Sequence, residues 1–123
     1  MKKILCVDDD PVVLRYLQSL LMDNGYAVHT AENAKTALAL VDEARPDLIT
    51  LDLQMPEQWG PRFYREMTRN PANRQIPVIV ISGLSSSRYS IAKAAGYLSK
   101  PFEPDALLDM VAAQIGPDPV RPV

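Results

Sequence analysis

The sequence predicts an α/β fold: a doubly wound, five-stranded parallel sheet of order 2-1-3-4-5, with helices on both faces. Three observations predict it. Short runs of strand character recur at Ile4–Val7, Ala27–Ala31, Leu48–Leu51, Val78–Ile81 and Gly96–Ser99. Stretches with apolar residues at helical spacing separate them, and such alternation gives a parallel sheet covered on both sides. Finally, the first, third, fourth and fifth runs lead into Asp8, Asp52, Ser82 and Lys100, whereas the second ends in Ala31. Placing the second run at an edge gathers the polar ends in one crevice beyond the carboxyl ends of the strands, where open sheets of this kind carry their sites.

Each element has a local cause. Ile4-Leu5-Cys6-Val7 is a buried strand, and Asp10 before Pro11 is an N-cap followed by a proline at the first helical position. The first helix has a core stripe of Val13, Leu17, Leu20 and Leu21, and Asn24-Gly25 closes it. Ala27–Ala31 is more polar, as an edge strand should be. Glu32-Asn33 leads into a second helix with Ala37, Leu38, Val41 and Ala44 at helical spacing, stopped by Arg45-Pro46-Asp47. Leu48-Ile49-Thr50-Leu51 has no charge, which suits a strand buried on both faces. Gly60-Pro61 opens a third helix that packs Phe63, Tyr64 and Met67 and ends by Asn70-Pro71. Pro77 introduces the fourth strand. A fourth helix is expected over Leu84 to Ala95, although Ser85-Ser86-Ser87 opens it poorly. After the fifth strand, Pro104 starts a last helix with Leu107, Leu108, Val111 and Ile115 inward and Gly116 as its stop. Residues 1–116 are thus one domain, and 117–123, with Pro117, Pro119 and Pro122, are expected to be a disordered tail.

The composition narrows the function. A net charge of −2 argues against a dedicated nucleic-acid or membrane-surface binder. Cys6 is the single cysteine, so neither an internal disulfide nor a cysteine metal site can form. The opening apolar run is too short for a signal peptide or a membrane span, and the protein reads as cytoplasmic. His29, the one histidine, lies mid-strand at the edge and cannot reach the crevice.

The crevice collects Asp8, Asp9 and Asp52 with Ser82 and Lys100. Two unit charges ~4 Å apart repel by about 4 kcal/mol at an effective dielectric of ~20. Such a cluster must bind a cation or hold a proton. An oxygen-only site with few ligands suits Mg²⁺ better than Zn²⁺. A metal, an amine and a hydroxyl around a carboxylate suit a phosphoryl group carried on that carboxylate.

Val-Asp-Asp-Asp-Pro at 7–11, Leu-Asp-Leu-Gln-Met-Pro at 51–56, Gly60, Ile-Ser-Gly at 81–83 and Tyr-Leu-Ser-Lys-Pro-Phe at 97–102 resemble a response-regulator receiver domain of two-component signalling, a flavodoxin/CheY-like (βα)5 fold. The resemblance covers about residues 2 to 115. It implies that Asp52 is the phosphoacceptor and that Asp8 and Asp9, with Asp52 and the backbone carbonyl of Gln54, hold Mg²⁺. It also implies that Ser82 turns toward the phosphoryl group, that Tyr97 is the aromatic switch, that Lys100 is the site lysine, and that a cis peptide precedes Pro101. The partners it implies are a sensor histidine kinase or a His-containing phosphotransfer protein, and a downstream protein target. The face formed by the fourth helix, fifth strand and last helix is the output surface and a candidate homodimer contact, and Ala106, Met110 and Ala113 give the last helix a second, small apolar face there.

The family usually has about four more residues, roughly one helical turn, between the positions of Ser82 and Lys100. The fourth helix is therefore expected to be short, displaced or mobile. The functional expectation is a stand-alone phosphorylation-dependent switch, not an enzyme with turnover, though one that promotes its own phosphorylation and dephosphorylation. Alternatives are a receiver cut from a longer response regulator or hybrid kinase, a Mg²⁺-dependent aspartyl-phosphate phosphatase, and an interaction module that is never phosphorylated. The phosphatase chemistry wants a second acid two residues after the nucleophile, where this chain has Gln54. Asp10 is explained by capping, Asp47 by structure, and Arg62, Arg65 and Arg69 by a solvated helix face. Arg15, Gln18 and Met22 share the outer face of the first helix, which in the family often meets the phosphodonor protein.

Overall fold

The computed structural model describes residues 1–53, 59–83 and 94–116, with the Trp59 side chain excepted. Five parallel strands, β1 (Lys3–Val7), β2 (Ala27–Ala31), β3 (Leu48–Leu51), β4 (Val78–Ser82) and β5 (Gly96–Ser99), form one sheet of order β2-β1-β3-β4-β5. Among the described residues the helices are α1 (Pro11–Asp23), α2 (Ala34–Ala44), α3 (Trp59–Thr68) and α4 (Pro104–Ile115). A short 3-10 turn at Pro71–Asn73 follows α3.

Side-chain alternation along the strands divides the core into two layers. Leu5, Val7, Ile49, Leu51, Val78 and Val80 pack with Ala37 and Val41 of α2 and Phe63 and Met67 of α3. Ile4, Cys6, Leu48, Ile79 and Ile81 face Leu14, Leu17 and Leu21 of α1 and Leu107 and Val111 of α4. Both layers are closed, so β1, β3 and β4 are buried on both faces and must be almost uniformly apolar.

The caps form as their chemistry dictates. Asp10 accepts from the Val12 amide at 2.9 Å, and Asn33 caps α2 by accepting from Thr36 at 2.8 Å. Arg45 ends α2 in the left-handed region at φ 54, and Gly25 follows α1 at φ 92. Asp47 accepts from the Lys3 amide at 2.8 Å and ties the entry of β3 to the start of β1, a structural role. Tyr26, buried between the layers' ends, donates to the Gly116 carbonyl at 3.2 Å and closes the end of α4.

Some expectations need correction. The inward stripe of α1 is Leu14, Leu17 and Leu21, whereas Val13 and Leu20 are only half-buried. Leu14 takes the inward place in the first turn because Pro11 and Val12 sit on its exposed side, while Leu17 and Leu21 are buried as expected. In α4, Leu108 and Ile115 are half-buried beside the fully buried Leu107 and Val111. Met110 is not a free surface residue. Its sulfur packs on Gly96 of β5, where a β-carbon would stand 3.0 Å from it. Ala94 and Ala95 are not helical, and the Ala95 amide already bonds the Val78 carbonyl at 2.8 Å, so a helix does not extend to Ala95. The remainder of the expected fourth helix, its shortening and the tail at 117–123 lie outside the described residues.

Candidate functional site

Parallel pairing carries the acids to one place. Cys6 is in register with Thr50 and Val7 with Leu51, so the next residues of β1 and β3 leave the sheet side by side. The Asp8 amide still bonds the Ala31 carbonyl at 3.1 Å, and the Asp52 amide bonds the Val7 carbonyl at 3.0 Å. On the far side, the Lys100 amide bonds the Ser82 carbonyl at 3.0 Å, which continues the β4–β5 ladder past its last pair. The backbones of Asp8, Asp52, Ser82 and Lys100 are therefore held by the sheet itself.

Carboxylate oxygens of Asp8, Asp9 and Asp52 all lie within 4.8 Å of one another. Asp8 and Asp52 are 2% and 3% exposed, while Asp9 faces solvent. Lys100 reaches across from the end of β5: its Nζ donates to Asp8 Oδ2 at 2.9 Å and stands 3.7 Å from Asp52 Oδ1. Asp8 Oδ1 accepts from the Asp10 amide at 2.9 Å, which fixes its rotamer. Among the described residues one ammonium thus stands beside a cluster of three carboxylates. Charge balance among these groups is incomplete for the described residues, and buried anions demand compensation. The donor set is all oxygen, with one acid open to solvent, and this fits a hard, partly hydrated divalent cation such as Mg²⁺.

Ser82 ends β4 with 1% exposure, and Tyr97 lies one strand over, half-buried and packed against the α2–α3 layer. Burial raises the Tyr97 phenol above its ordinary value, and the nearby Tyr64 adds to the shift. The Lys100–Pro101 peptide is cis. Gln54 lies outside the described residues. Cys6 is fully buried and its thiol is pushed up to about 12, chiefly by burial, so it is an inert core group. His29 sits mid-strand on the edge strand β2, paired with Leu5 and away from the acids.

Around the crevice, Arg62 pairs with Glu66 at 3.5 Å on the solvated face of α3. Arg15 and Gln18 line a groove of about 300 Å³ with Glu32, Asn33 and Thr36, between α1 and the β2–α2 junction. The sequence reading missed two neighbours of that face. Val12 and Tyr16 are 68% and 46% exposed, and the Tyr16 ring lies 6.1 Å from that of Phe102, just after Pro101. Their i, i+4 spacing, off the Leu14–Leu17–Leu21 stripe, was the available signal. Gly60, a helix opener and one of the residues that carry the resemblance, lies against the Asp52–Leu53 backbone.

Comparison with known proteins agrees with this geometry. Residues 4–112 match the family model described as the response regulator receiver domain. Protein Rrf1 of Nitratidesulfovibrio vulgaris is 37% identical over 109 residues, covering 89% of this chain and 79% of that protein. Protein PilH of Pseudomonas aeruginosa is 31% identical, covering 92% and 97%. The probable transcriptional regulator ycf29 of Pyropia yezoensis is 34% identical over 97% of this chain, which spans only 55% of that protein. Among solved structures, the chemotaxis protein CheY4 of Vibrio cholerae superposes with a TM-score of 0.83 at 30% identity, covering 93% of this chain and 98% of that one. The response regulator TrrA of Thermotoga maritima, in complex with Mg(2+)-BeF, gives 0.83 at 32% identity, with 93% and 99% covered. With that fold, that strand order and a family match over most of its length, this chain belongs to the response regulator receiver domains of two-component systems.

Proposed function

We propose that this receiver is a phosphorylation-dependent switch in which Asp52 takes a phosphoryl group from a phosphohistidine on a partner protein. The observation that carries the reading is Lys100, whose ammonium bridges Asp8 and Asp52 at 2.9 and 3.7 Å. A carboxylate oxygen of Asp52 attacks phosphorus. The O–P bond forms, the P–N bond breaks, and its electron pair returns to the partner's imidazole nitrogen. His29 is remote from the crevice, so the donor histidine belongs to the other protein.

The chain's own groups explain why such a step runs here. Asp52 is fixed by the sheet at its amide, so little orientational freedom is lost on approach. Lys100 offers positive charge to the incoming phosphoryl oxygens, and Ser82 offers a hydroxyl. Asp8, Asp9 and Asp52, with the Gln54 backbone carbonyl, would hold Mg²⁺, which when bound supplies positive charge to those same oxygens. The structure of TrrA with Mg(2+)-BeF supports this choice of ion. Tyr97 on β5 carries the change outward to the surface of β5 and α4, where the downstream protein, or a second copy of this chain, docks. The phosphodonor protein, a histidine kinase or phosphotransfer protein, meets the outer face of α1, where Val12, Tyr16 and Met22 are exposed.

The receiver signals through protein contact. Among the described residues no helix is long and apolar enough to cross a membrane, which fits a cytoplasmic role. Incubation with Mg²⁺ and acetyl phosphate, followed by intact mass, tests the reading. One phosphoryl mass should appear in the wild type and be absent in Asp52→Asn. Equal modification of both proteins would defeat it.

A further inference from the structure

We infer that Gly60 is a positioning residue for Asp52, acting through the backbone of Asp52 and Leu53. The inference rests on the phosphoacceptor reading above. Gly60 is buried and lies at the start of α3, on the same side as Phe63 and Met67, which anchor that helix in the core. Spacings of three and seven residues put all three on one stripe, so an apolar side chain would be the ordinary occupant of position 60. Glycine stands there because the helix start presses on the chain just beyond β3. A β-carbon at Gly60 would overlap Leu53 Cδ2, stand 2.9 Å from Leu53 Cα and 3.1 Å from the Asp52 carbonyl oxygen.

The Leu53 side chain can turn aside, but the two backbone atoms cannot move alone. Carbon atoms rest ~3.5 Å or more apart, so the backbone must open by about half an ångström. On its other side the same segment is tied to β1 by the Asp52 amide and the Val7 carbonyl at 3.0 Å. Asp52 is therefore clamped, with the peptide before it tied to β1 and the peptide after it lying against the first turn of α3. Any widening of that clamp turns the Asp52 carboxylate relative to Asp8 and Lys100. A misplacement of about 1 Å can cost ~100-fold in rate. Helix propensity works in the opposite direction, since alanine favours a helix over glycine. A loss on substitution thus reports the contact and not the helix.

The test compares Gly60→Ala with Phe63→Leu, a core change in the same helix that lowers stability by removing atoms and adds none against the Asp52–Leu53 backbone. Phosphorylation by phosphoramidate is followed by intact mass, Mg²⁺ affinity by calorimetry, and Tm by calorimetric scan. Gly60→Ala should slow phosphorylation at least tenfold and weaken Mg²⁺ binding. Phe63→Leu should stay within twofold of wild type in both despite its lower Tm. The double variant Leu53→Ala/Gly60→Ala, in which the worst overlap is relieved and folding secured, should keep the slow rate because the backbone contacts persist. A Gly60→Ala or double variant within twofold of wild type overturns the inference, as does a Phe63→Leu loss as large. If the wild type accepts no phosphoryl group, the function reading fails, while Mg²⁺ affinity and the Asp52 carboxyl ¹³C shift still decide the role of Gly60.

Discussion

Asp52→Asn should make the protein more stable when magnesium is absent and remove that advantage when magnesium is present. Asp52 and Asp8 have oxygens within 4.8 Å, which at an effective dielectric of ~20 amounts to about 3 kcal/mol of repulsion. Lys100 at 3.7 Å returns about 4 kcal/mol of attraction on the same scale. Asp9 is exposed and screened by solvent, so its repulsion is smaller and the opposing terms nearly cancel. What remains is the cost of keeping an ionised carboxylate at 3% exposure, several kcal/mol after relaxation. Asparagine keeps the shape and most of the hydrogen-bonding capacity without the charge. Part of the desolvation cost persists for its amide, so the expected gain is about 1 to 3 kcal/mol, or roughly 4 °C in Tm per kcal/mol for a chain of this size. A cation that binds only the folded state at ~100 times its dissociation constant adds about 2.7 kcal/mol. The wild type should receive that increment, and the variant, one anionic ligand short, should receive less. Urea melts in EDTA and in MgCl2 measure all four stabilities. An Asp52→Asn protein that is less stable than wild type in EDTA, or that gains as much from magnesium, would refute the reasoning.

Other consequences are simpler to state. Lys100→Ala should tighten Mg²⁺ binding, because a competing cation leaves Asp8, yet slow phosphorylation by ~100-fold through loss of a charged donor; a rate within threefold of wild type would contradict the role of Lys100. Asp10→Ala removes the cap bond to Val12 and should lower stability by about 1 kcal/mol, read by urea melt, with phosphorylation retained. The Cys6 thiol, raised to about 12 from 9.0, should resist alkylation in the folded protein at pH 8 and react on unfolding. The sign of its linkage follows from the neutral form being favoured in the fold. Its contribution is complete below pH 9.0 and is lost progressively as pH rises toward about 12, so a urea midpoint independent of pH over that window would count against it.

Much of the fold was legible because burial on both faces leaves few choices. β1, β3 and β4 read as uninterrupted apolar runs, and their polar ends at Asp8, Asp52 and Ser82 could be ordered into one crevice before any coordinates. The Asp10-Pro11 cap is local chemistry and was equally readable, whereas Glu32-Asn33 was placed only as the lead into the second helix. Rotation of α1 was not, since Val13, Leu14, Leu20 and Leu21 offer overlapping apolar stripes and only packing chooses between them. The tilt of Tyr16 onto Phe102 joins residues distant in sequence and left no periodic signal. Gly60 is the clearest case of a legible residue with an illegible reason. Its glycine is plain in the sequence, but the close approach of α3 to the Asp52–Leu53 peptide exists only in three dimensions.

The central claim is that Asp52 itself receives the phosphoryl group. Borohydride reduction of the acetyl-phosphate-treated protein converts an acyl phosphate to an alcohol, leaving homoserine in place of the modified aspartate. Peptide mass spectrometry should then find homoserine at position 52, dependent on magnesium and absent when Lys100 is replaced by alanine at short times. Homoserine at position 8 or 9, or none after prolonged treatment with magnesium, would contradict the account.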